Sequence, residues 1–318
     1  MGELTRRLGV TPMVEMKLAA APISWGVCEV PGWGERLSAS RVLEEMASLG
    51  LAATETGPLD FLPDDGRSLR AELAGHGLRA VGGFVPLVLH DRSQAGETRL
   101  AACRMADRFA DAGAEVLVSA AVVDPDWAPR RPLDDGEWRR LVEALAEIDE
   151  IAGERGLRHV VHPHAGTLIE DGDDIDRLLD ASDVRWCLDT GHLAIGGVDP
   201  SAFAERAGDR VGHVHLKDVD EAVAAQVRAH ELRLIDGVRH GLFRPLGAGD
   251  LPIDKVIRHL QEAGYDGWYV LEQDVTIPAG EVPGPGAGPI TAVRESLDYL
   301  RLRFPAQAAD EGPDERSP

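Results

Sequence analysis

The sequence predicts a single α/β domain, a (β/α)₈ TIM barrel. Two observations carry this: strand-like and helix-like segments alternate strictly along most of the 318 residues, and eight such pairs can be counted. Strict alternation implies parallel strands covered by helices. Eight repeats favour closure into a barrel, which needs about 250 residues. No GxGxxG follows the first strand, which argues against an open dinucleotide-binding sheet.

Each element has its own signal. Residues 18–23 form an apolar first strand leading to Ser24-Trp25-Gly26. Ser38 caps a helix over 39–49 that Gly50 stops. Strand two is 51–55, followed by a helix over 67–76 closed by Gly77. Strand three is 78–84, and an amphipathic helix over 98–112 ends at Gly113. Strand four (114–120) precedes the longest helical pattern, 135–155, ended by Gly156. Strand five (157–162) and a helix over 173–180 follow. Then come strand six (184–189), a short helix over 200–207 and strand seven (211–216). A helix over 250–263, strand eight (267–272) and a helix over 290–302 complete the pattern. Three stretches depart from short-loop connection. Residues 219–249 form a long excursion with a helical piece near 221–229, expected to cover the barrel mouth. Residues 276–289 are rich in Pro and Gly. Residues 1–16 and 305–318 read as disordered extensions flanking a barrel over 17–304.

Composition narrows the function. Lys plus Arg total 33 against 55 Asp plus Glu, a net charge of −22. Such a chain repels phosphate backbones, so nucleic acid is not an expected partner. No run approaches about 18 uninterrupted apolar residues, so no membrane span is expected. Cys28, Cys103 and Cys187 make neither a disulfide framework nor a CxxC knuckle, and the N-terminal residues do not read as a signal peptide. Both fit a reducing cytoplasm. A small molecule is the expected partner, and a homodimer and a homotetramer are the assemblies considered.

In a barrel of this kind catalytic groups gather at the C-terminal ends of the strands. Four strand ends here carry metal-ligand side chains: His162-Pro163-His164, Asp189-Thr190-Gly191-His192, His213-Val214-His215 and Glu272-Gln273-Asp274. His with carboxylate suits a divalent cation. Asp189 closes an apolar strand, where a buried carboxylate needs a cation or hydrogen bonds; capping the following turn is the plainer role. His192 is expected in a loop over the mouth. Val211, His213 and His215 alternate onto one face, with His215 nearer the strand end and Lys217 on the same face again. Lys217 either polarises a substrate oxygen or pairs with Asp218 or Asp220. Glu272 is a ligand or a salt-bridge partner. Trp25 and Phe84 are walls for a ring or core fillers, and Glu55 bonds substrate or a neighbouring strand.

The motifs APISWG (21–26), TETGP (54–58), FLPDD (61–65), HPHAGT (162–167), CLDTGHLAIGG (187–197), HVHLKD (213–218) and VLEQD (270–274) resemble the sugar phosphate isomerase/epimerase superfamily, the xylose isomerase-like TIM barrels. Within it the chain looks most like inosose (2-keto-myo-inositol) dehydratases. The resemblance implies a divalent ion, Mn²⁺ or Co²⁺ first and Zn²⁺, Fe²⁺ or Mg²⁺ next. Its ligands would be His162, Asp189, His215 and Glu272, with His164 the alternative to His162. It further implies a sugar or cyclitol substrate with His192 as a contact, to which the reading of the residues adds Trp25, Glu55, Phe84 and Lys217. Many relatives of this kind have Glu where this chain has His162, and use two Glu residues to shuttle a proton. A His there leaves Glu272 as the one carboxylate of that type, which favours elimination over epimerisation. In the expected reaction Glu272 or His164 takes a proton α to a ketone, and Lys217 or His192 steadies the oxyanion or protonates the leaving β-hydroxyl. The alternatives are an isomerase or epimerase with the same metal, a non-catalytic metabolite-binding barrel, and a multi-metal endonuclease, which the acidic balance disfavours.

Overall fold

A computed structural model describes residues 16–30 and 32–305. The expected disorder of residues 1–15 and 306–318 lies outside the described residues. The parallel strands are β1 (Lys17–Ala20), β2 (Ala53–Thr54), β3 (Arg79–Ala80), β4 (Gly82–Leu87), β5 (Val116–Ala121), β6 (Arg158–Val161), β7 (Trp186–Asp189), β8 (Val211–Leu216) and, after a short antiparallel β9–β10 pair (Asp218–Val219 with Phe243–Arg244), β11 (Trp268–Leu271). Their order in the sheet is β3-β2-β1-β11-β8-β7-β6-β5-β4. β3 and β4 are two halves of one strand broken at Val81. The Val81 N–H donates to Thr54 of β2 at 2.9 Å, and its carbonyl accepts from Val116 of β5 at 3.1 Å. That residue closes the ring, so the nine assigned strands make eight staves.

The helices on the outside are α1 (Ala39–Ser48), α2 (Gly66–Gly75), α3 (Ala95–Ala112), α4 (Asp135–Gly153), α5 (Gly172–Ala181), α6 (Thr190–Ile195), α7 (Pro200–Ala207), α8 (Glu221–Arg228), α9 (Leu234–Arg239), α10 (Ile253–Glu262) and α11 (Pro289–Arg303). Each of the eight expected helices is present within a few residues. The first strand stops short of residue 23 because Pro22 has no N–H to donate and opens a 3₁₀ turn over Pro22–Trp25. Asp134 caps α4 and Asp171 caps α5, each in a reciprocal capping box with the residue three positions on.

Side chains alternate across the staves. Inside, Ala19, Ala21, Ala53, Val81, Trp268 and Val270 pack together on one side, and Val116, Val118, Val160 and Cys187 on the other. The main core lies outside, between staves and helices. Strand β8 departs from simple alternation. Its pairing with β7 slips between Trp186 and Cys187, which face Val211 and His213. Gly212 is therefore the extra residue of a β-bulge. A Cβ there would lie 2.8 Å from Val160. Val211 consequently joins the outer core, not the inward face with His213 and His215 as plain alternation predicts.

The 219–249 excursion contains α8, α9 and the β9–β10 pair. With Trp33, Ala165, Ala194 and Ile195 it builds a second apolar cluster over the mouth. Asp218, fully buried, staples it down: its carboxylate accepts the N–H groups of Val219, Gly247, Gly249 and Leu251 at 2.8–3.1 Å. Among the described residues no helix is long and apolar enough to cross a membrane.

Candidate metal centre and active site

Strands β6, β7, β8 and β11 end side by side, and each delivers one donor to a cluster centred on Asp189 and His215. His162 Nε2 lies 3.4 Å from Asp189 Oδ2 and 3.2 Å from His215 Nδ1. His215 Nδ1 lies 3.4 Å from Asp189 Oδ2 and 3.3 Å from Glu272 Oε2. All four side chains are buried.

The hydrogen bonds behind these atoms decide what they present. His162 Nδ1 is 2.7 Å from its neighbour's carbonyl, Pro163 O, so it carries the proton and Nε2 offers a lone pair. His215 Nε2 is 3.0 Å from Glu55 Oε1, so the neutral ring, the form that binds a metal, offers its lone pair on Nδ1. Asp189 Oδ1 accepts the His192 N–H at 2.8 Å, capping α6, while Oδ2 is buried with no hydrogen-bond partner among the described residues. With both rings neutral, two lone pairs and two carboxylate oxygens face one another and repel; Lys217 offsets this at the carboxylates from one side, and a cation among the four donors would offset it for all. Donors about 2.0–2.2 Å from one tetrahedral ion stand about 3.3–3.6 Å apart, close to the spacings here. The donor set fits a divalent ion.

Lys217 closes one side. Its ammonium is 2.6 Å from both Glu272 Oε2 and Asp274 Oδ1, and 3.7 Å from Asp189 Oδ2. Burial opposes its charge, but Asp274, Glu272 and Asp189 outweigh burial and hold its pKa well above the ordinary lysine value. Its partners are thus not Asp218, which binds backbone, or Asp220, which pairs with Arg244. Burial likewise opposes the charge of Asp189, yet Lys217, His192, His162 and His215 keep that carboxyl well below the usual range. Gly191 makes this close fit: a Cβ there would lie 2.7 Å from Lys217 Cβ.

On the mouth side stand two more imidazoles, His164 and His192, with ring centroids 3.7 Å apart. His192 sits in α6, not in a loop, because the Asp189 cap starts a helix at Thr190. Its Nδ1 accepts the Ala165 N–H at 3.2 Å. A neutral ring then carries its proton on Nε2, a buried atom with no hydrogen-bond partner among the described residues. His164 is the opposite tautomer: Nδ1 donates to Ala165 O at 2.9 Å, leaving a lone pair on Nε2. Burial, together with His162 and Lys217, pulls the His164 pKa down to about 3; burial and His164 hold His192 well below its ordinary value. Both rings are neutral at pH 7.

Phe84 stands beside this pair, 5.4 Å from the His164 ring. Trp127, which sequence reasoning missed, stacks on Phe84 at 6.1 Å and lies 5.9 Å from His164. Its φ of 59° is left-handed, a costly conformation for an aromatic residue. The turn DPDW was the available signal. Phe243 of the excursion caps the site, 6.3 Å from the His192 ring and 5.3 Å from the Lys217 ammonium.

Two residues expected against substrate are elsewhere. Trp25 is fully buried in the outer core and its Nε1 donates to Glu45 Oε2 at 2.8 Å; the 3₁₀ turn after β1 swings it towards α1. Glu55 is 3% exposed and bonds His213 and His215 of β8. Asp274 and His213 join the network without having been singled out as site residues.

With this geometry in view, the comparisons with known proteins are specific. The profile described as "Xylose isomerase-like TIM barrel" matches residues 43–303. A protein named inosose dehydratase from Geobacillus kaustophilus (strain HTA426) is 35% identical over 298 residues, 89% of this chain and 93% of its own. Among solved structures, the probable 3-DHS dehydratase AsbF from Bacillus anthracis aligns with a TM-score of 0.67 at 16% identity, covering 90% of this chain and 98% of that one. The IOLI protein, solved with a binding zinc atom, aligns with a TM-score of 0.66 at 15% identity over 91% of this chain and 98% of that one. The chain belongs to the xylose isomerase-like TIM barrel family, with proteins named inosose dehydratase among its relatives.

Proposed function

We propose that this chain is a metal-dependent hydro-lyase that removes water from an inosose-type cyclic polyol ketone. The observation that carries the reading is the pair of opposite tautomers, His164 and His192, on one side of the four-donor cluster. The named relative supports the substrate class.

His162, Asp189, His215 and Glu272 would hold the ion, with Mn²⁺ or Co²⁺ as our choice. When bound it supplies Lewis acidity towards a ketone oxygen and a neighbouring hydroxyl. The remaining steps belong to the side chains. The lone pair of His164 Nε2 takes the proton α to the ketone, and the Lys217 ammonium steadies the negative charge that develops on oxygen. The protonated His164 then gives that proton to the β-hydroxyl, held by the Nε2–H of His192. The C–O bond breaks, the C=C bond forms and water leaves, so the enzyme ends in its starting state. Glu272, tied to Lys217, serves as ligand and keeps the ammonium in place. Phe84 walls the ring, and the 219–249 excursion excludes bulk water. A barrel over 17–304 acting on a small molecule, in the cytoplasm, completes the proposal; three free cysteines support that compartment.

The test is to incubate the purified chain with 2-keto-myo-inositol and follow loss of one water by mass spectrometry, with and without chelator. Dehydration that disappears with chelator and returns with Mn²⁺ or Co²⁺ is expected. A product of unchanged mass would identify an isomerase or epimerase instead, no turnover would leave a binding barrel, and full activity without metal would refute the mechanism.

A further inference from the structure

We infer that Glu55 is a positioning residue that selects which nitrogen of His215 faces the metal donors; the inference rests on the metal reading above. Glu55 follows β2, across the barrel from β8, and is 3% exposed. A single oxygen, Oε1, takes a hydrogen bond from His213 Nε2 at 2.7 Å and another from His215 Nε2 at 3.0 Å. These two imidazoles lie two residues apart on one strand, so the carboxylate is gripped from two levels of the barrel interior. Both rings point inward from β8 to reach it, two positions apart on the same face of the strand.

The consequence falls on the other nitrogen. A neutral imidazole has one N–H, and Glu55 claims it for Nε2. Nδ1 is then bare, 3.2–3.4 Å from His162 Nε2, Glu272 Oε2 and Asp189 Oδ2. Without Glu55 the two carboxylates at Nδ1 become the better acceptors. The proton moves there, and the ring presents an N–H where a cation needs a lone pair. His213 holds the carboxylate from below and keeps it from turning towards the mouth; its own Nδ1 is buried without a hydrogen-bond partner among the described residues. A carboxylate that orients a ligand histidine commonly sets metal affinity as much as the ligands themselves do. The role differs from substrate contact, because Glu55 acts through His215.

The experiment measures Mn²⁺ affinity by electron paramagnetic resonance, and the Co²⁺ visible spectrum, for the full chain and for Glu55→Ala and Glu55→Gln. Melting in chelator checks folding. Glu55→Ala is expected to weaken Mn²⁺ binding about 10–100-fold, and Glu55→Gln, which keeps one acceptor oxygen, about 3–10-fold. The Co²⁺ bands should shift in both. If Glu55→Ala fails to fold, Glu55→Gln decides alone. Affinities within about twofold of wild type, with only KM raised, would overturn the inference and return Glu55 to the substrate. A wild-type chain that binds neither ion would overturn the metal reading and this inference with it.

Discussion

Asp189 does two jobs with two oxygens, and a pair of substitutions separates them. Oδ1 caps α6 through the His192 N–H at 2.8 Å, while Oδ2, buried with no hydrogen-bond partner among the described residues, faces His162, His215 and Lys217. Asp189→Asn keeps a capping oxygen but removes the anionic donor. Asp189→Ala removes both. Loss of the charge is common to the two variants, so their difference isolates the cap. An N-cap is worth about 0.5–2 kcal/mol, and Asn caps as well as Asp. For a domain near this size about 1 kcal/mol moves the melting temperature by about 2–4 °C. Melted in chelator, Asp189→Ala should therefore unfold about 1–8 °C below Asp189→Asn. Metal analysis after loading with Mn²⁺ should find neither variant stoichiometrically occupied. Retained metal in Asp189→Asn would remove Asp189 from the ligand set, and equal melting of the two variants would refute the cap.

Three further outcomes are expected. His164→Gln should lower kcat about 10²–10⁴-fold with metal content unchanged; a loss confined to metal content would make His164 a ligand instead of a base. Trp127→Ala should raise KM about 2–10-fold, the size of one aromatic contact, and unaltered kinetics would leave Trp127 a structural residue only. The third concerns pH. In the metal-free chain burial opposes the charge of His215, but Cys187, Glu272, Glu55 and Asp189 outweigh it and raise its pKa well above the ordinary value. A group raised above its unfolded pKa of about 6.5 stabilises the fold fully below that pH, and the contribution is lost as pH rises through the folded value. Urea melts in chelator should thus show stability falling as pH rises above about 6.5, whereas saturating Mn²⁺ should reverse the trend because binding needs a neutral ring. A flat or rising profile in chelator would show that His215 is neutral there.

Much of this was legible in one dimension. Alternating apolar runs and glycine stops place all eight helices, because local propensity and amphipathic period act over a few residues. The four strand-end runs mark Asp189, His215, Glu272 and the pair His162 and His164, since a barrel sends every strand end to one mouth; the family resemblance chose His162 from that pair. The same logic errs where the backbone leaves its regular period. The bulge at Gly212 turned Val211 outward, and the 3₁₀ turn at Pro22 carried Trp25 into the outer core.

What the sequence determined by itself was the fold and the kinds of donor at the mouth, because periodicity and residue chemistry are local properties of a chain. What only the tertiary structure decided was the state of each donor. Pro163 O, Glu55 and the Ala165 backbone settle which nitrogen of four histidines carries a proton. In the case of Glu55 and His215 that contact spans 160 positions of sequence. A tautomer depends on the nearest acceptor in space, and no pattern along the chain encodes that distance.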